Sequence, residues 1–177
     1  MREHIKLMAK YNEWMNTKLY DAASRLSADE LAMNRGAFFG SILGTLNHIM
    51  VGDRIWLSRF ATHPANHAAL DPIRALRTPT SLDQTLFTDF RALQEHRVVL
   101  DAVIKDWVAT LNDDDTKLTL HYASMKGTTF KKNFGYLLMH FFNHQTHHRG
   151  QATTLLSQAG QDVGVTDLLM IIPDAVE

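Results

Sequence analysis

The stretch HFFNHQTHHRGQ, residues 140–151, combines apolar residues with four of the chain's ten histidines. Apolar residues in and around it recur at the spacing of one helix face, which predicts an amphipathic helix over approximately 131–159. The members of this apolar face are Phe134, Leu137, Leu138, Phe141, Ala152, Leu155 and Leu156.

Three further segments show the same helical spacing, over approximately 2–25, 39–60 and 81–111. Four long helices in one chain predict an all-α protein folded as a four-helix bundle. Two capping boxes, each beginning with a serine, predict where helices begin. Ser81 with Gln84 predicts the start of the third long helix, and Ser27 with Glu30 predicts a short additional helix.

The connection between the second and third helices is long. Three of the four prolines fall in it, so residues 61–80 cannot form one helix. A connection of this length can cross the bundle, which allows helices two and three to run parallel. We therefore predict an up-down-down-up topology with a long crossover between helices two and three.

A short β-hairpin is predicted before the fourth helix. The stretch LTLHYASMKGTTFKK, residues 118–132, alternates apolar with polar or small residues around Lys126 and Gly127. Such alternation on both sides of a glycine is typical of two short strands joined by a turn. The alternative interpretation is an irregular loop.

Composition limits the possible functions. The 177 residues suffice for one domain, residues 1–177, and the 18 basic and 19 acidic residues give a net charge of −1, which argues against nucleic-acid or membrane partners. The chain has no cysteine, so metal ligands would be nitrogen or oxygen atoms. No apolar stretch approaches the roughly 18 residues of a membrane span, and no signal peptide is recognisable. We therefore expect a cytoplasmic protein.

The four histidines of residues 140–151 point in different directions. Each helical residue advances by about 100°, so His144 and His148 lie on the apolar side, whereas His140 and His147 lie away from it. Two imidazoles one turn apart can reach one ion, which predicts a metal site at His144 and His148. We expect His140 and His147 to face solvent, a crevice or a partner subunit. The histidines without any such spacing signal are His4, His63, His67, His96 and His121.

Two known histidine motifs do not fit. A zincin peptidase requires a glutamate after its first histidine, and the residue here is Gln145, which cannot act as a base. Ferritin-like di-iron bundles require Glu-x-x-His pairs. The glutamates that lack a histidine three residues later are Glu3, Glu13, Glu30 and Glu95.

The second helical segment offers two candidates for a third ligand, His48 and Asp53. Asp53 lies near the centre of the main apolar face, so periodicity favours it. His48 lies on a second face with small residues such as Gly52, which allow close approach of another helix. A buried aspartate needs a counter-charge, which Arg54, Arg97, a metal or a metal-bound histidine could supply. Spacing alone leaves both candidates open.

Three stretches resemble the DinB family of damage-inducible proteins. They are YNEWMNTKLYDAASRLS at 11–27, GSILGTLNHIMVGDRIWLSRF at 40–60 and HFFNHQTHHRGQATTLLSQAG at 140–160. The specific feature is the combination of Asn-His in helix two with His-x-x-x-His-Arg-Gly-Gln in helix four. The resemblance implies an up-down-down-up four-helix bundle, commonly a homodimer, with a divalent metal held by three histidines.

Carried onto this chain, the resemblance implies the ligands His48, His144 and His148. It replaces the periodicity-based choice of Asp53, which becomes a residue beside the site or a polar core residue. We interpret Arg149 as a structural partner of a carboxylate or a helix-end carbonyl more readily than as a substrate clamp. The residues expected beside the ligands, to orient imidazoles or contact substrate, are Asp53, Asn143, Gln145, Arg149 and Gln151.

Family members with a known activity resemble thiol-dependent transferases or isomerases that use bacillithiol or mycothiol. The resemblance thus implies a metal-dependent enzyme of the thiol S-transferase or hydrolase type acting on a small-molecule substrate. Its cofactors would be a divalent metal, zinc or nickel with iron as another choice, and an external low-molecular-weight thiol. The alternative is a non-catalytic stress-response binding protein with a structural metal. The balanced charge disfavours nucleic-acid binding, which the family name would suggest.

Overall fold

The computed structural model describes residues 1–175 and is mostly helical in that range. The helices are α1 (Arg2–Ala23), α2 (Ala28–Ala32), α3 (Ile42–Phe60), α4 (Asp71–Arg74), α5 (Phe90–Thr110) and α6 (Phe134–Gln158). Strands β1 (Thr119–Ala123) and β2 (Thr129–Asn133) form one antiparallel pair. Short 3₁₀ helices occur at Ala68–Leu70, Asp115–Lys117 and Leu168–Ile171.

Local side-chain caps set several helix starts. The Ser27 hydroxyl accepts a hydrogen bond from the Glu30 backbone N–H, and the Glu30 carboxylate accepts one from Ser27, which confirms the predicted capping box of α2. Ser41 caps α3 through the Gly44 N–H. Each cap satisfies a backbone donor that the first helical turn leaves free.

The predicted start of the third long helix at Ser81 is wrong. Helix α5 begins nine residues later, at Phe90, where the Asp89 carboxylate accepts a hydrogen bond from the Ala92 N–H. Gln84 does not close a capping box with Ser81, because its side-chain oxygen accepts a hydrogen bond from the backbone N–H of Thr80. Residues 81–89 are therefore part of the connection.

A side chain from α3 holds this part of the connection in a non-helical shape. The Oδ1 atom of Asn47 accepts hydrogen bonds of 2.9 Å from the backbone N–H groups of Leu86 and Phe87. Its Nδ2 atom donates to the Phe87 carbonyl at 2.9 Å. Because these backbone groups are bound to Asn47, they are not available for the hydrogen bonds of a helix.

The β-hairpin is confirmed. Leu120 pairs with Lys132 and Tyr122 with Phe130, and Gly127 in the turn has φ +82°, a conformation that glycine adopts without steric cost. The prediction that residues 61–80 do not form one helix is also confirmed, because that range contains only a 3₁₀ turn and α4. Pro72 lies in the first turn of α4, where a missing N–H costs nothing.

The long helices share one apolar core. Helix α1 packs against α5 and α6, and α3 packs against α6. The largest fully buried apolar side chains are Trp107, Phe60, Phe134, Phe141, Met15, Leu19, Ile42 and Leu46. The up-down-down-up topology and the single-domain assignment of residues 1–177 stay predictions. None of the helices among residues 1–175 has the length and apolar character needed to cross a membrane.

Candidate metal centre

Three histidines meet where α3 packs against α6. His48 comes from α3, and His144 and His148 come from successive turns of α6. One nitrogen from each lies within 4.8 Å of the others, so the group could hold a metal ion. His48 and His148 are buried, and His144 is partly exposed. Asp53, the residue favoured by periodicity, lies outside this group.

Hydrogen bonds on the far side of two rings fix their protonation. His48 Nδ1 lies 2.8 Å from the Leu82 carbonyl oxygen, and His148 Nδ1 lies 2.8 Å from Gln151 Oε1. Both partners are acceptors, so in the neutral rings the proton resides on Nδ1. The lone pair of each ring is then on Nε2.

These two lone pairs face each other. The Nε2 atoms of His48 and His148 are 3.1 Å apart. Two neutral rings with protonated Nδ1 atoms cannot form a hydrogen bond across this gap, so the contact is repulsive without a cation between them. Two nitrogen ligands of one tetrahedral zinc ion, with bonds of about 2.0–2.1 Å, are about 3.3 Å apart. The donor set and its spacing therefore fit a zinc-type divalent ion.

The surroundings keep the three imidazoles neutral. Burial, together with the neighbouring His148 and His48, lowers the pKa of His144 to about 3. Burial also lowers the pKa of His48 and of His148 below the ordinary histidine value. A neutral imidazole is the form that binds a metal, so the protein presents these rings ready for binding.

Gly52 on α3 provides the space that the His144 ring occupies. A Cβ atom added at Gly52 would lie 2.7 Å from His144 Cε1, which is closer than carbon atoms approach without movement. The small residue predicted to allow close helix approach therefore accommodates one of the three imidazoles.

We expect Gly52→Ala to weaken metal binding by about 10–100-fold, the range seen when support of a ligand is lost. The added methyl group displaces the His144 ring, while alanine itself favours the helix. A competition titration against a zinc chelator measures the affinity. Gly150→Ala on α6 is the matched control, because a Cβ atom there meets no other atom within 4 Å. Equal affinity in both variants would contradict the steric role of Gly52.

A loop residue covers the site. The Phe39 ring stacks on His48 with the centroids 3.8 Å apart and the planes at 16°. The position of this loop depends on Gly44, because a Cβ atom there would lie 2.1 Å from the Phe39 carbonyl oxygen. Phe39 thus covers one face of His48, a candidate metal ligand, with apolar surface.

His140 and His147 are exposed, as predicted from their angular positions on α6. The His140 ring packs edge-on against Trp56, with centroids 4.9 Å apart. It is also 6.0 Å from the His144 ring, measured between centroids. His140 therefore borders the histidine group without being part of it.

A buried polar layer lies directly beside the histidines. Asp53 is fully buried and accepts hydrogen bonds from Arg97 Nη1 at 2.5 Å and Gln145 Nε2 at 2.8 Å. Arg97 Nη2 is also 2.7 Å from Asp101 Oδ1. The counter-charge required by Asp53 is therefore Arg97, and the Gln145 amide donates its hydrogen bond to this carboxylate.

The layer extends to α1. Asn12 and Asn16 donate hydrogen bonds to Asp101 at 2.9 and 3.0 Å. Arg149 donates to the Asn12 side-chain oxygen and lies over the Tyr11 ring, 5.3 Å from its centroid. Polar side chains from α1, α3, α5 and α6 thus form one connected network in the core.

Arg149 has a structural position, but its partners differ from the predicted ones. It binds the Asn12 amide and the Thr146 hydroxyl, and neither a carboxylate nor a helix-end carbonyl is its partner among residues 1–175. Burial lowers the pKa of Arg149 to about 10, which leaves it charged at neutral pH. Gln151 orients His148, and Asn143 is exposed.

Sequence reasoning missed Phe39 and the Leu82 carbonyl. Both belong to connections and contact His48 through tertiary structure, so no periodic pattern identifies them. The two aromatic residues Phe38 and Phe39 before the Ser41 cap are a local signal, because large apolar side chains are often buried, but only Phe39 stacks on His48.

Comparisons with known proteins agree with the resemblance in the sequence. The family model described as DinB family matches residues 1–174. The chain is also similar to Protein DinB of Bacillus subtilis (strain 168), with 23% identity over 159 residues that cover 89% of this chain and 87% of the relative. No solved structure matches the chain significantly.

Proposed function

Because this chain belongs to the DinB family, we propose that it is a metal-dependent enzyme whose divalent ion, zinc or nickel, is held by His48, His144 and His148. An ion held by these residues would supply activation of a bound thiol or water molecule for attack on a small-molecule substrate. The observation that carries this proposal is the 3.1 Å approach of two Nε2 atoms whose lone pairs face each other.

A divalent ion held by three neutral imidazoles would have room for a further ligand and would lower the pKa of a thiol or water bound there. The residues of the chain prepare this position. The Leu82 carbonyl and Gln151 hold the protons of two rings on Nδ1, and Phe39 excludes water from one face of His48. The low pKa values keep the rings neutral near pH 7.

Two clefts on the sides of Phe38 favour a reaction with two small reactants. One, of about 340 Å³, is lined by His48 and Asn47. The other, of about 310 Å³, is lined by Gln151 and Thr45. Phe38 itself lines both and is 88% exposed. One cleft for an external thiol and one for its electrophilic partner would suit an S-transferase better than a hydrolase.

We also propose three properties that rest on the sequence pattern and the family resemblance. They are an up-down-down-up four-helix bundle, a homodimer and a cytoplasmic location.

We expect Gln151→Ala to reduce metal affinity by about 10–100-fold, because His148 loses the acceptor that keeps its Nε2 free for metal. Gln151→Glu retains an acceptor and should restore most of the affinity. Isothermal titration of the metal-free protein measures the difference. Gln158→Ala is the control, since Gln158 lines the same cleft and is exposed. A similar loss in Gln158→Ala would show a general effect of altering the cleft.

The proposed function is tested with cobalt-substituted protein. Addition of bacillithiol, mycothiol or dithiothreitol should produce a thiolate-to-cobalt charge-transfer band and release one proton per bound thiol. An electrophile with a chromophoric leaving group then reports S-transfer, in which a carbon–sulfur bond forms and the leaving group departs. His144→Ala protein should give neither signal. Cobalt-loaded protein that binds no thiol and cleaves no ester would contradict the enzyme proposal.

A further inference from the structure

A second group of potential ligands lies beyond the other end of α3. His63, His67 and Asp115 each offer one ligand atom, and these atoms lie within 4.8 Å of one another. All three residues are buried, with exposed fractions of 2%, 9% and 5%. His63 follows α3, and the 12 residues from His48 to Phe60 already span about 18 Å of helix, so the two groups are separate.

The hydrogen bonds of His67 direct a lone pair at a carboxylate. His67 Nδ1 is 3.3 Å from Thr110 Oγ1, whose own hydrogen is donated to the Trp107 carbonyl at 2.7 Å. The Nδ1 atom of the neutral ring is therefore the donor to Thr110, and its Nε2 atom carries the lone pair. That Nε2 atom is 3.8 Å from Asp115 Oδ2. This separation is too long for a direct hydrogen bond, and a cation placed between the two lone-pair atoms would stabilise both.

His63 completes the group. Its ring lies beside His67 with centroids 5.5 Å apart, and it packs on Phe134 at 4.3 Å. His67 Nε2 has no hydrogen-bond partner in the part of the chain that the structure describes, and His63 Nε2 has none of normal geometry, although the Asp115 backbone carbonyl lies near the His63 ring. Buried nitrogens without partners are costly, and the side chains of His63 and His67 lie close to one carboxylate with which they could hold a cation.

We propose that His63, His67 and Asp115 bind a second divalent metal ion of zinc type, which joins the long connection to the turn before the β-hairpin. Two bonds of about 2.0–2.2 Å to one ion can span the 3.8 Å between His67 Nε2 and Asp115 Oδ2. Two imidazoles and one carboxylate are a ligand set that zinc uses. Burial of all three residues indicates a structural role.

Metal binding would move one proton from one ring nitrogen of His63 to the other. The Nδ1 atom of His63 accepts a hydrogen bond from the Ala65 N–H at 3.2 Å, which places the proton of the neutral ring on Nε2. Metal binding through Nε2 moves this proton to Nδ1 and breaks the Ala65 contact. The tautomer of His63 therefore changes with metal, which gives a signature that nitrogen NMR detects.

The test uses protein purified without nickel affinity and loaded with zinc. Wild type should contain two zinc ions per chain, His144→Ala one and His144→Ala/His67→Gln none. Asp115→Asn should also lose one ion. Its side-chain oxygen can still accept the hydrogen bond that the Asn112 N–H donates to Asp115 at 2.9 Å. In the His144→Ala background, zinc at 100 times its dissociation constant should raise the melting temperature by about 5–10 °C. His96→Ala is the control, because His96 is exposed.

The outcomes separate this site from the first one. A His144→Ala protein that binds one zinc ion, lost on His67→Gln, supports the second site even if the first has no activity. Zinc retained in the double variant would place the ion elsewhere and overturn the proposal. No zinc in His144→Ala, with an unchanged His63 tautomer, would show that a proton or a water molecule occupies the group and would also overturn it.

Discussion

His144→Ala is expected to remove one equivalent of metal per chain and to abolish every activity that depends on it. His144 contributes one of the three nitrogens of the group, and its ring fills the space above Gly52. A two-ligand site on His48 and His148 should bind the metal at least 100-fold more weakly, because each lost ligand removes a large part of the binding free energy.

Elemental analysis after equilibration with a competing chelator measures this loss. His147→Ala is the matched control, because His147 lies on the same helix, is exposed and belongs to neither histidine group. It should retain the wild-type metal content. Equal loss in both variants would refute the angular sorting of the α6 histidines.

Asp53→Ala is expected to lower the free energy of unfolding by about 3–5 kcal/mol, the usual effect of removing one partner from a buried ion pair. The substitution leaves Arg97 with only Asp101 as a counter-charge and leaves the Gln145 amide without its acceptor. Asp53→Asn keeps one oxygen for Gln145 and should cost less.

Chemical denaturation measured by circular dichroism tests this prediction. Glu13→Ala is the control, because Glu13 pairs with Lys105 at 2.7 Å while both side chains remain substantially exposed. Exposed pairs contribute about 0–1 kcal/mol. A loss in Asp53→Ala as small as that in Glu13→Ala would show that the buried network adds little to stability. Metal-free protein must be used for both, so that metal binding does not mask the difference.

Periodic sequence signals predicted the helices whose boundaries depend on local interactions. Helices α1, α3 and α6 match the predicted ranges within three residues. The start of α5 was missed because Asn47, about 40 residues earlier, binds the backbone at Leu86 and Phe87. The helical pattern in residues 81–89 was therefore overridden by a tertiary contact with a residue far away in the sequence, which a pattern within that segment cannot reveal.

The candidate site was predictable to a similar extent. The spacing of His144 and His148 placed both on the inner side of α6, but spacing could not choose between His48 and Asp53. That choice depends on Arg97 of α5, which pairs with Asp53 in the core. The sequence prediction assigned no spacing signal to His63 and His67. They are four residues apart, but Pro64 lies between them and the segment is not helical, so helical spacing does not apply to them. Asp115 joins them only in three dimensions.

The position of the three histidines along the chain determines when a metal can be acquired. His48 precedes His144 by 96 residues, which corresponds to about 5–20 s of ribosomal synthesis. A nascent chain that has exposed α3 alone offers a single imidazole, which holds a divalent ion weakly. The site forms only after α6 has been synthesised and has packed against α3. Metal loading should therefore follow translation, and its rate should depend on delivery of metal to the folded protein.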